Sequence, residues 1–286
     1  MSTQVSLNGL YEEALRYSDY IARNARILDN RLPEDSDFLD PEMKALQDQL
    51  NSLTIFPLEK RDWFYLAFSA RHLPALVDAL RTTSRETQRE AFSAYIQLLS
   101  LLPEPQRNPY LRKFLCSERA AGLPNLLASA FIQSIEWLRP SGPGYICALI
   151  ASCLQWCDTD MGDDKRASID KALRQRLLAK LRIIMEQARY KTAIDEHNRL
   201  GIEVLHGLLS AVDEMEVPSD QPGFFLKSTR DYLAGSIPGQ RECNVCMEEG
   251  AELRCARCKS VKYCGKECQK QDWRGEHRMR CFAMAF

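Results

Sequence analysis

Eight potential metal ligands fall in four close pairs near the end of the chain: Cys243 and Cys246, Cys255 and Cys258, Cys264 and Cys268, His277 and Cys281. The gaps between pairs are eight, five and eight residues. Thiolate and imidazole groups two or three residues apart suit zinc rather than a hard cation. A tetrahedral zinc takes four of them, so eight ligands imply two Zn2+ ions. Spacing alone leaves open whether successive pairs share an ion or alternate pairs do. In either case protein atoms fill every coordination position. A catalytic zinc needs a vacancy, so both sites are expected to be structural. Some 40 residues bury too little apolar surface to offset the entropy of ordering them. A structural zinc contributes on the order of 10–16 kcal/mol in a small finger, so this tail is expected to fold only with its metals.

Residues between the ligands carry more information. Tyr263 stands directly before Cys264, Gln269 directly after Cys268, and Trp273 four residues before His277. With the ligand spacing, these make the segment from about 243 to 281 resemble the MYND zinc finger. The resemblance implies an interleaved pairing, with Cys243, Cys246, Cys264 and Cys268 on one zinc and Cys255, Cys258, His277 and Cys281 on the other. It also implies a protein-interaction role. In MYND fingers that bind proline-containing motifs, the residues matching Gln269 and Trp273 line the peptide groove. The stretch GKECQKQDW, from Gly265, is expected to be a short helix placing those two side chains one turn apart. An aromatic ring suits an already extended, proline-rich peptide, which loses little entropy on docking. The alternative for Trp273 is a plug against the zinc cage.

The first 235 residues have a different grammar. Apolar residues recur every three or four positions, as in Leu73, Leu76, Val77 and Leu80, or Ile169, Leu173, Leu177, Leu181 and Ile184. That is the helical period, and alternating strand-like runs are nearly absent. Pro57, Pro74, Pro103, Pro105, Pro124 and SGPG at 141–144 read as helix punctuation. His72 to Leu99 resembles an armadillo or HEAT repeat, a helix opened by a proline, a polar turn and a longer helix, and Ala120 to Leu138 looks like the start of another. The fold expected is an all-α body, either an armadillo-like solenoid or an irregular helical bundle, plus a small zinc-stabilised finger. The acidic stretch DEMEVPSDQPG at 213–223 reads as a loop. The domain boundary falls at 236–240, dividing a helical domain of residues 1–235 from a finger of residues 241–286.

Composition narrows the function. The formal charge is −1, which gives no global attraction to nucleic acid or to an acidic membrane. Residues 241–286 hold ten Lys and Arg against seven Asp and Glu. Seven thiolates and two divalent ions cancel that surplus, so nucleic-acid binding is not expected, and Lys259, Lys262, Lys266, Lys270 and Arg274 are expected to form a solvated basic rim. No stretch approaches the roughly 18 apolar residues of a membrane span. The first residues lack the basic and apolar regions of a secretory signal, so reduced thiols in the cytosol or nucleus are the expected setting.

Enzyme chemistry finds no footing. Some MYND fingers are appended to SET-type methyltransferases or to iron-dependent prolyl hydroxylases. The first need a strand-rich, glycine-rich fold, and the second a His-x-Asp with a distant His. His72, His197 and His206 are followed by Leu-Pro, Asn-Arg and Gly-Leu. No phosphate loop, nucleophile elbow or dinucleotide fingerprint appears. Cys116, Cys147, Cys153 and Cys157 read as small buried core residues. The chain is expected to be a non-enzymatic adaptor, its finger docking proline-rich segments of a partner protein and its body binding a second. Two alternatives stay open: a nuclear transcriptional or chromatin regulator with weak nucleic-acid contact, and a finger that caps its own helical body.

Overall fold

The computed structural model describes residues 7–134, 142–187, 190, 194–214, 221–240 and 242–286. Most of the acidic loop, the first residue of the SGPG turn and the end of the second repeat-like segment lie outside the described residues. The described residues form twelve α-helices and one two-stranded sheet. Among the described residues, no helix is long and apolar enough to cross a membrane.

The chain divides into two compact units, residues 1–95, 106–111 and 234–286 in one, 96–105 and 112–233 in the other. The compositional boundary at 236–240 therefore separates segments of different character, whereas compactness groups the finger with the first three helices.

In the first unit, α1 (Leu7–Asn24), α2 (Asp40–Leu53) and α3 (Leu58–Thr82) pack around a common core. α3 is the central rod, burying Phe64 to Ala70 in one unbroken run and then Leu73, Leu76, Val77 and Leu80. In the sequence Pro74 is expected to open a helix. Instead α3 runs through it. A proline inside a helix lacks the N–H that would bond four residues back, so the carbonyl of Ala70 loses its helical donor. That carbonyl accepts the backbone N–H of Ala285 at 3.0 Å. The chain terminus replaces the bond the proline removed.

Asp37, in the loop before α2, accepts the backbone N–H groups of Glu90 and Ala91 at 2.8 and 2.9 Å. It satisfies the orphan donors at the start of α4 (Arg89–Ser100).

In the second unit, α7 (Pro143–Trp156) packs along α9 (Glu196–Glu214), and α8 (Lys171–Glu186) lies against α6 (Leu123–Ser134) and α9. A further helix, α10 (Phe224–Gly235), precedes the finger in the chain. The α7–α9 crossing depends on two glycines. A Cβ on Gly144 would meet the Asn198 backbone at 2.3 Å, and one on Gly201 would meet the Gly144 carbonyl at 2.2 Å. Asn198 caps the entrance of α7, its Oδ1 accepting the Gly144 N–H at 2.7 Å. Cys147, Cys153 and Cys157 are buried here, as their apolar neighbours suggest. Cys116 departs from the expectation. The residue is exposed, and its thiol donates to the Trp156 carbonyl at 3.3 Å.

Candidate metal centre and the groove beside it

The finger begins with two similar turns. In each Cys-x-x-Cys pair, the residue after the second cysteine takes a left-handed backbone conformation, Met247 at φ 60° and Lys259 at φ 54°. The N–H of that residue returns to the carbonyl of the first cysteine, 3.0 Å for Met247 to Cys243 and 2.8 Å for Lys259 to Cys255. Left-handed backbone on a residue with a Cβ costs roughly 1–2 kcal/mol, which metal binding outweighs several-fold. A short antiparallel ribbon, β1 (Leu253–Arg254) with β2 (Lys262–Tyr263), presents Cys264. Cys268 rides on α11 (Lys266–Arg274), and His277 and Cys281 bracket α12 (His277–Arg280).

These elements bring the eight ligands into two sets. Cys243, Cys246, Cys264 and Cys268 form one, and Cys255, Cys258, His277 and Cys281 the other, with the ligand atoms of each set within 4.8 Å of one another. This is the interleaved arrangement. Sulfurs bound 2.3 Å from a tetrahedral zinc sit about 3.8 Å apart. The Sγ distances are 3.5 Å for Cys246–Cys264, 3.4 Å for Cys264–Cys268 and 3.6 Å for Cys255–Cys281. His277 Nε2 lies 3.7 Å from the Cys258 Sγ. A four-cysteine set and a set of three cysteines with one histidine, both of this size, fit two structural Zn2+ ions.

Before any metal charge is counted the ligands shift in opposite directions, Cys243, Cys255 and Cys258 downward and Cys264, Cys268 and Cys281 upward. Burial raises the Cys243 thiol, but the backbone N–H groups of Cys246, Cys264 and Val245 bring it down to about 6. Hydrogen bonds from Cys258 and Cys281 hold Cys255 far below the ordinary thiol range. Burial depresses His277, and its contacts with Cys255 and Cys258 more than reverse that, lifting it to about 9.

Asp272 was not singled out from the sequence. Its Oδ2 accepts the Tyr263 hydroxyl at 2.7 Å and the Asn244 amide at 2.9 Å, and lies 3.9 Å from His277 Nδ1. Asn244 follows a ligand of the first set, Tyr263 precedes another, and His277 belongs to the second. One carboxylate therefore ties the two ligand sets together. A carboxylate facing the free nitrogen of a metal-binding histidine fixes which nitrogen faces the metal. The tyrosine before Cys264 now has a physical role: it is fully buried, with its hydroxyl on Asp272.

The end of the finger is anchored on the helices of its own unit. Tyr110, on α5 (Pro109–Leu115), accepts the Phe282 N–H at 2.7 Å. The Tyr110 hydroxyl lies 2.9 Å from the Arg280 carbonyl and 3.1 Å from that of Phe282, straddling the ligand Cys281. The Phe282 ring is fully buried and stacks on Tyr11 of α1, centroids 4.9 Å apart. Arg257 also meets Tyr11, its guanidinium 4.7 Å from the ring centroid and donating to the hydroxyl.

Beside the second ligand set runs a shallow groove of about 370 Å³, lined by Cys255, Ala256, Arg257, Gln269, Lys270, Trp273 and Arg274. Gln269 and Trp273 lie one turn apart on α11, as expected. Trp273 is 36% exposed, and its ring lies 6.0 Å from that of His277.

A helical protein carrying a two-zinc finger is the class this fold and centre define. Residues 243–281 match the MYND finger family and form such a finger. Ubiquitin carboxyl-terminal hydrolase 19 of Arabidopsis thaliana is 35% identical over 72 residues, 25% of this chain and 10% of that protein. SET domain and MYND-type zinc finger protein 6 of Schizosaccharomyces pombe is 47% identical over 45 residues, 15% of this chain and 9% of that protein. Egl nine homolog 1 of Homo sapiens is 42% identical over 50 residues, 16% of this chain and 12% of that protein. The chain thus spans only about a tenth of the length of these relatives. No solved structure matches it. The finger is a zinc-binding protein-interaction domain.

Proposed function

We propose that this chain is a non-enzymatic adaptor of the cytosol or nucleus. Its finger holds an extended, proline-rich segment of a partner protein, and its helical body carries a second partner. The observation supporting the peptide reading is the groove with Gln269 and Trp273 on one wall. It presents a half-open aromatic ring beside a polar amide, which suits a segment that offers both proline rings and backbone carbonyls. The contacts that hold the finger on α1, α3 and α5 run through Arg257, Phe282 and Ala285, while Trp273 stays 36% exposed. The finger therefore caps its own unit and keeps its groove open. The test is fluorescence anisotropy of the intact, zinc-loaded chain with labelled proline-rich peptides. Binding that Trp273→Ala abolishes, at unchanged zinc content and melting temperature, supports the reading. Unchanged binding in that variant removes it.

A further inference from the structure

The walls of the groove differ in character. Gln269 and Trp273 form the side expected to meet a proline-rich backbone. Arg257, Lys270 and Arg274 supply three cations, and no carboxylate lines the cavity. Lys270 pairs with Glu267 at 2.8 Å, but both side chains are largely exposed, a geometry worth little in water. The anionic group that lines the cavity itself is Cys255 of the second ligand set, whose three thiolates would hold one net negative charge with their zinc. It leaves the cationic lining in excess.

Arg257 is the member with a built position. It comes from the turn between Cys255 and Cys258, so the zinc ligands on either side fix its backbone. Its guanidinium is held on Tyr11, which is itself stacked on the buried Phe282 ring. A long flexible cation ordinarily loses side-chain entropy when it captures an anion. Here the intramolecular contact has already ordered it. The tyrosine hydroxyl occupies one arm of the guanidinium fork, and other donors remain for a planar carboxylate.

We propose, building on the peptide reading above, that the groove selects a proline-rich segment flanked by acidic residues. Arg257 is the specificity-determining cation, and Tyr11 of the helical body is its positioning residue. The body thereby tunes what the finger accepts. A basic or uncharged flank would leave the three cations facing water or a like charge, whereas an Asp or Glu meets them at the groove mouth.

The experiment uses the intact, zinc-loaded chain and three peptides that share one proline-rich core, with acidic, uncharged or lysine flanks. At low salt the acidic peptide is expected to bind roughly fivefold tighter than the uncharged one, the scale of an exposed charge pair, with the lysine peptide weaker than both. The preference should shrink at high salt. Arg257→Gln should remove most of the preference, weakening the acidic peptide far more than the uncharged one. Tyr11→Leu should do the same in part, and Tyr11→Phe, which keeps the ring under the guanidinium, should restore it. Equal affinities for the three peptides, all dependent on Trp273, would overturn this proposal and leave the peptide reading standing. Absence of binding by any of them overturns both. A single-stranded oligonucleotide that displaces the acidic peptide at equal concentration and salt would assign the cations to nucleic acid and overturn the acidic-peptide proposal.

Discussion

The backbone N–H of Ala285 donates to the carbonyl of Ala70 at 3.0 Å, and Ala70 is the residue that Pro74 leaves without a helical donor. A defect in α3 and the end of the finger thus complete each other. Deleting residues 283–286 should leave a buried acceptor unpaired, at about 1–3 kcal/mol. Pro74→Ala in the truncated chain should recover much of that loss, because alanine at that position supplies the missing N–H. Thermal melts of the two truncated forms check it. No recovery would mean that the tail stabilises the unit by other contacts.

The Tyr110 hydroxyl clasps the backbone on both sides of Cys281. Tyr110→Phe keeps the ring and strands the Phe282 N–H, at about 1–3 kcal/mol. One of the two zinc ions, the one held by Cys281, should then pass to a chelator faster than in the parent. The other should leave at its usual rate. Equal acceleration of both, or of neither, would refute the coupling.

Chelation should be felt beyond the finger. Phe282 is buried against Tyr11, and the segment after Cys281 reaches α3. Removing zinc should therefore lower the melting temperature followed by helical circular dichroism, in addition to releasing the finger. A helical transition that does not move on chelation would show the two to be energetically separate.

His72 is buried on α3, and its Nε2 lies 2.8 Å from Asp19, which Arg71 also meets at 3.0 Å. Burial depresses the imidazole below its ordinary value, with Asp19 opposing. Protons then bind the unfolded chain before the folded one. This contribution is complete above about pH 6.5 and falls as pH drops from there towards the lower folded value. His72→Gln should flatten that part of the melting curve against pH. Loss of zinc on acidification is common to both proteins, so the difference in slope isolates His72, and parallel slopes would exclude it.

Arg174 on α8 is fully buried and bonds Asp164 at 2.6 Å, Asp213 at 3.2 Å and the Ile169 carbonyl at 2.6 Å. Arg174→Ala should destabilise the second unit by about 3–5 kcal/mol, since it leaves both carboxylates and a buried carbonyl without their cation. Arg174→Met, which restores the volume but not the charge, should recover little. Denaturant unfolding measures both, and a cost below about 1 kcal/mol would show that water replaces the arginine there.

By itself the sequence determined what is local. Ligand type, number and spacing were enough for two closed zinc sites. A period of three to four made the rest helical, and one turn of α11 put Gln269 beside Trp273. Each of these is written within a few residues, because coordination preference and helical pitch act over that distance. Only the tertiary structure decided which ligand pairs share an ion, that α3 continues through Pro74, and that Asp272 joins the two ligand sets. The same holds for His72 with Asp19, Arg174 with Asp213, and Tyr110 with Phe282, separated by 53, 39 and 172 residues. Contacts at such distances leave no periodic trace along the chain. They arise when burial removes competing water and forces each polar group to find whichever partner the packing brings near.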